Sequence, residues 1–83
     1  MAFNNVGFGT IGAGQTQRWW YTFGGADRGA QYCMAHPLNP GGVLVVTDQT
    51  KQRNNSGSIT YWVTIRNIGS LATNFSLQGG GLT

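Results

Sequence analysis

Charge is scarce in this sequence. Of 83 residues, five are Lys or Arg and two are Asp or Glu, 8% in all, where about 25% is usual. The two acids, Asp27 and Asp48, lie far apart in the chain. Acid–base chemistry by paired carboxylates has almost nothing to draw on, and a lone acid makes a poor calcium site. The single cysteine, Cys33, excludes an internal disulfide; with one histidine, His36, it also excludes a structural zinc site. Cys33 reads as a small buried hydrophobe. His36 stands directly before Pro37, which biases it toward extended backbone, and no spacing gathers a nucleophile and a carboxylate around it. No catalytic residues, metal or cofactor are expected.

Other absences bound the class. No apolar run approaches the ~18 residues that span a bilayer; membrane attack by the exposed aromatics of an oligomer is a third reading, possible but not indicated. The N-terminus lacks a basic region followed by an apolar run, the mark of a signal peptide. Residues 1–83 are expected to form one soluble domain. It would be cytoplasmic, exported by a route that leaves no signal, or trimmed from a longer protein. No window shows 3.6-residue apolar periodicity, and no capping box opens an apolar run.

What is present is glycine, 14 residues, with 40% apolar and 12% aromatic residues. A core is affordable and disorder is not expected. Period-two alternation recurs. In "SITYWVTIRN", 58–67, Ile59, Tyr61, Val63 and Ile65 share one face; Thr60, Trp62, Thr64 and Arg66 share the other. After the turn-like "NIGS", "LATNFSLQ" (71–78) alternates again, which predicts a hairpin of the two segments. Further strands are read in "GGVLVVTDQ", in "RGAQYCMA" (28–35), in "QRWWYTF" (17–23), and in the glycine-broken "FNNVGFGTI", the last at a sheet edge. "DQTKQRNN" reads as a turn and "LQGGGLT" as a flexible end. Six or seven short strands make an all-β sandwich or small barrel.

Two stretches resemble a known family. "YWVTIRNIGSLATNFSLQGG" (61–80) is similar to the last hairpin of immunoglobulin-like adhesion modules of the CARDB type, and "IGAGQTQRWW" (11–20) to the turn before their second strand. The resemblance implies a small immunoglobulin-like antiparallel β-sandwich, usually with a binding or spacer role and without catalytic residues. The expected core is Trp19, Tyr21, Phe23, Leu44, Val46, Ile59, Tyr61, Val63, Ile65, Phe75 and Leu77.

Parity sets the candidate site. With Trp19, Tyr21 and Phe23 facing the core, Trp20 points outward between Arg18 and Thr22. Trp62 is outward on the 58–67 strand, beside Thr64 and Arg66. An indole left in water forgoes a few kcal/mol of burial unless something covers it. Three covers suggest themselves: another part of the chain, such as the "AHPLNPGG" loop or the second indole; a second subunit; or a ligand. Flat rings beside Arg, Asn, Gln, Thr and Asp suit the C–H face and hydroxyls of a sugar. The sequence therefore predicts a non-catalytic, oligomeric, carbohydrate-binding (lectin-like) module. Trp20 and Trp62 would stack on a glycan, while Arg18, Arg66, Asp27 and Asn67 supply hydrogen bonds. The alternative is a structural or assembly subunit, of a particle, fibre or toxin, whose Trp face is a subunit interface. Nucleic acid is disfavoured, because five bases at net charge +3 neutralise few phosphates.

Other motifs carry less. "GFGTIG" (7–12) has the G-x-G-x-x-G spacing without the strand before it or the helix after it that a dinucleotide site needs. "ADRG" (26–29) reads as a turn in which Asp27 caps local amides. "NNS" (54–56) and "NFS" (74–76) match the glycosylation sequon.

Overall fold

The computed structural model describes residues 3–81. Six strands run in chain order: β1 Phe3–Ile11, β2 Thr16–Tyr21, β3 Gln31–Pro37, β4 Leu44–Arg53, β5 Ile59–Asn67 and β6 Thr73–Gly81. They form two three-stranded antiparallel sheets, β1–β6–β3 and β2–β5–β4, packed as a small all-β sandwich. Glycines and Asx residues between short alternating runs favour this over helix.

Each sheet has its most buried strand in the middle. On β5, Ile59, Tyr61, Val63 and Ile65 are buried, and Thr60, Trp62 and Thr64 face out. On β6, Phe75 and Leu77 are fully buried. The core also holds Ile11, Cys33 and Ala35, with Val6, Trp19, Tyr21, Leu44 and Val46 packed at its margin. Phe23 lies beyond the end of β2 and is 38% exposed, although its ring meets Tyr21 and Tyr61 edge-on.

β1 is an edge strand, and it is bent by an irregularity between Asn5 and Gly7. The glycines beyond the bend face inward and make room for Trp19 of the opposite sheet. A Cβ at Gly7 would stand 2.6 Å from Trp19 Cζ3, and one at Gly9 would stand 3.0 Å from both Trp19 and Phe75. Trp19 meets Phe75 edge-on at 5.7 Å, so the indole closes the gap that small β1 residues leave.

Two glutamines tie the sheets together at their open sides. Gln17 Nε2 donates to the Thr10 carbonyl at 2.8 Å, joining β2 to β1. The Cys33 amide donates to Gln49 Oε1 at 2.8 Å, joining β3 to β4. Each amide satisfies an edge that the ladders leave open.

Three expectations are corrected here. The segments 58–67 and 71–78 do not form a hairpin: β5 and β6 lie in opposite sheets, because each has an apolar inner face that must cover the other. "DQTKQRNN" is not a turn; an irregularity between Val46 and Asp48 lets β4 continue to Arg53. Gly79–Gly81 are not a loose end but the buried close of the central strand β6. There a Cβ at Gly79 would crowd Cys33 Sγ at 3.0 Å and Val6 at 3.1 Å; Leu82 and Thr83 lie outside the described residues.

Gly7→Val is expected to lower unfolding stability by about 2 kcal/mol through overpacking against Trp19. Urea denaturation of the variant checks this, and an unchanged midpoint would show that the indole shifts freely.

Candidate functional site

The outer face of the β2–β5–β4 sheet is laid out in rows by the strand register. Trp20, Trp62 and Thr50 are direct cross-strand neighbours, as are Arg18, Thr64 and Asp48 in the next row. Beyond them come Thr16, Arg66 and Val45; on the other side Gln52 pairs with Thr60. Such neighbours stand about 5 Å apart, close enough for side chains to interact.

The contacts follow these rows. The Arg18 guanidinium carbon lies 4.8 Å from the Trp62 ring centroid, a cation–π arrangement. Trp62 Nε1 donates to Gln52 Oε1 at 2.7 Å, and Thr64 Oγ1 donates to Asp48 Oδ1 at 3.2 Å. Trp62 is therefore held on both ring and edge. Trp20 is not: it is 62% exposed. The "AHPLNPGG" loop does not cover it. That loop is pinned instead to the start of β6, where the Leu38 amide donates to the Asn74 carbonyl and the Asn74 amide to Asn39 Oδ1.

Around the β4 edge, Trp62 and Thr50 also border a cleft of about 300 Å³ that opens between β3 and β4. Its other lining residues include Tyr21, Tyr32, Gln49, Lys51 and Tyr61. Tyr21 and Tyr61 stack with centroids 5.4 Å apart and planes 15° apart. The Cys33 thiol donates to Tyr21 Oη at 3.1 Å. Burial pushes the Tyr21 phenol and the Cys33 thiol above their usual ranges, so both remain protonated and neutral near neutral pH. Sequence reasoning missed this cleft, because it lies between two edge strands whose closeness no local pattern reports.

Four of the six residues expected at the site share the outer face. Trp20, Trp62 and Arg18 are adjacent, and Arg66 lies on the same face four residues along from Trp62, about 13 Å at the usual strand rise. The other two do not join them. Asp27, on the loop between β2 and β3, bonds Lys51 Nζ at 2.6 Å and Arg53 Nη2 at 3.1 Å. Those cations extend from the inner side of β4, where Lys51 pairs with Tyr61 and Arg53 with Ile59. Asp27 also accepts from the Gly29 amide at 2.9 Å, the capping role read from "ADRG". Lys51's hydrogen bond, then the Gly29 amide, hold its carboxyl below the ordinary value of 3.8.

Asn67 is fully buried. Its Nδ2 donates to the carbonyls of Ile11 at 3.0 Å and Leu71 at 2.7 Å, and its Oδ1 accepts from the Gly69 amide at 2.9 Å. It ties the end of β1 to the β5–β6 connection and, being buried, does not reach the outer face. The expectation that Asn67 contacts a ligand is therefore corrected: its parity with Ile65, visible in the sequence, puts it on the inner side of β5.

Fold and face together define a small all-β protein with an aromatic–polar outer surface. Comparison with family models, with curated proteins and with solved structures finds no match.

Asn67→Ala strands buried carbonyls and is expected to cost about 3 kcal/mol in denaturant unfolding. A loss below about 1 kcal/mol would mean that water replaces the amide. Asp27→Asn is expected to lower the melting temperature near neutral pH. The lowered carboxyl stabilises the fold above its ordinary value and loses that effect as pH falls through the folded-state value. The gap between Asp27→Asn and wild type should therefore close in strong acid; a gap that persists there would rule out a role for the charge.

Proposed function

We propose that the chain is a non-catalytic binding module that takes carbohydrate on the outer face of the β2–β5–β4 sheet. One observation carries the reading: Trp20 and Trp62 stand directly opposite each other on the outward side, and Trp20 is left largely in water. An exposed indole offers an apolar plane to the C–H face of a pyranose. Arg18, Thr64, Asp48 and Gln52 bring charged and polar groups to the same few square nanometres, suited to sugar hydroxyls. Trp62 is already braced by Arg18 and Gln52, so less side-chain freedom is lost on binding. The cleft beyond Thr50 gives a longer glycan room to turn around the β4 edge.

A structural subunit whose Trp face is buried against a neighbour is the competing reading. It is supported by the same exposed indole and by the low charge of the chain.

The test is a glycan array followed by titration of the bound sugars against tryptophan fluorescence. Binding should quench the signal. Trp20→Ala should weaken affinity at least about tenfold, as loss of about 1.4 kcal/mol requires, with the circular dichroism spectrum retained. Silence across a broad glycan panel would remove the carbohydrate reading. Oligomers that Trp20→Ser breaks in light scattering would establish the competing one.

A further inference from the structure

The cleft between β3 and β4 lies where the sandwich is open, and the Trp row leads into it. Trp20, Trp62 and Thr50 are successive cross-strand neighbours, and the last two also line the cleft. At about 300 Å³ it is at the small end of ligand clefts, which run from about 300 to about 1,000 Å³, so it has room for one ring and its substituents. Its walls are aromatic on both sides: Tyr32 lines it from one sheet, Tyr61 and Trp62 from the other. No Asp or Glu is among its described lining residues.

What the cleft offers a ligand is hydrogen-bond donors. Gln49 and Lys51 stand on the same inner side of β4, two residues apart and so about 7 Å along the strand. Gln49 Oε1 accepts from the Cys33 amide at 2.8 Å, which fixes the side chain and leaves both Nε2 protons without an acceptor among the described residues. Lys51 Nζ gives one hydrogen bond, to Asp27 Oδ1, of the three that an ammonium can donate. The Thr50 hydroxyl, also on the lining, adds another donor. Asp27 does not cancel the Lys51 charge. Its carboxylate is also held by Arg53 Nη2 at 3.1 Å and by the Gly29 amide at 2.9 Å, so two cations meet one anion and the cluster keeps a net positive charge.

We propose that this cleft is the subsite for a carboxylated sugar, a uronic or sialic acid ending a glycan whose inner rings lie along the Trp20–Trp62–Thr50 row. The proposal rests on the carbohydrate reading and narrows it to acidic glycans. Gln49 Nε2 and Lys51 Nζ each donate to one carboxylate oxygen, and the charge strengthens both bonds. Two donors on one side of a strand match two coplanar oxygens. A monoanion also matches the net charge of the cluster, whereas a phosphate monoester, at about −1.5 to −2, exceeds it. The Gln49 amide is already oriented by Cys33, so little side-chain freedom is lost when the acid enters. The cations of the outer face are placed less well for this. Arg18 lies on the Trp62 ring, and Arg66 stands four residues along from Trp62.

The test is a glycan array of matched sets, each glycan ending in a neutral sugar, in the corresponding carboxylated sugar, or in the methyl ester of that acid. Bound members are then titrated against tryptophan fluorescence. The acid is expected to bind at least about tenfold more tightly than either neutral partner, as one hydrogen bond to a charged group requires. The margin should shrink between about 0.02 M and about 0.5 M salt. Lys51→Met keeps an unbranched side chain and leaves Arg53 on Asp27; it should remove the margin. Trp20→Ala should weaken acid and neutral glycans alike. Neutral glycans that bind with no preference for the acid would overturn this proposal and leave the carbohydrate reading standing; silence across the whole array would remove both. An ester that binds the unaltered chain as tightly as the acid would overturn it whether or not Lys51→Met folds. So would an acid preference that Lys51→Met keeps and Arg66→Gln abolishes, which would move the carboxylate to the outer face.

Discussion

Strand β5 cannot rotate about its own axis. Ile59, Tyr61, Val63, Ile65 and Asn67 are its inward residues, all of them buried, and a shift of one residue would exchange them for Thr60, Trp62, Thr64 and Arg66. That exchange would put a guanidinium and an indole into a core only two sheets thick. Because β5 is the middle strand of its sheet, its parity passes by register to both neighbours. Opposite Trp62 stands Trp20 on one side and Thr50 on the other. The outward Trp–Trp–Thr row is thus a by-product of burying five residues on the other side of one strand.

The two sheets divide the chemistry between them. The β2–β5–β4 sheet and the loop before β3 hold every charged side chain, and the β1–β6–β3 sheet holds none. Within the charged half, ion pairing is local: Lys51 and Arg53, on the inner side of an edge strand, converge on Asp27. Inward-pointing charge on an edge opposes further strand pairing there. The edge strands of the other sheet carry no Asp, Glu, Lys or Arg, and the irregularity between Asn5 and Gly7 interrupts the β1 ladder. The outer face of that sheet exposes Phe8, Tyr32 and Met34 beside Asn5, Thr10, His36 and Asn74.

Legibility from sequence followed the reach of each signal. The alternation in β5 and the parity of Trp19 against Trp20 are properties of one strand, and both are found as read. The bent edge strand at Phe3–Ile11 was legible because Gly7 and Gly9 are few steps apart on one segment. Asp27 was misplaced because its partners, Lys51 and Arg53, lie more than twenty residues on, in a segment that read as a turn. The β5–β6 hairpin failed for a related reason. A short connection with a glycine fits a turn within one sheet or a crossing between two, and local residues do not separate these. The triple glycine at 79–81 looks mobile in isolation. It is ordered because all three pair with Gln31–Cys33 of β3, and at Gly79 Cys33, Val6 and the Tyr32 carbonyl occupy the space that a side chain would need.

By itself, then, the order of residues determined that the chain forms strands, which side of each is apolar, and that one indole of each Trp-bearing strand faces outward. These follow from steric alternation along an extended backbone, which needs no partner. Tertiary structure alone decided which strands share a sheet. It brought a distant carboxylate to two cations and enclosed Asn67 among three backbone groups. It also gathered the uncharged strands on one side. Those outcomes depend on contacts between segments far apart in the chain, and their energies arise only once both apolar faces have closed on each other.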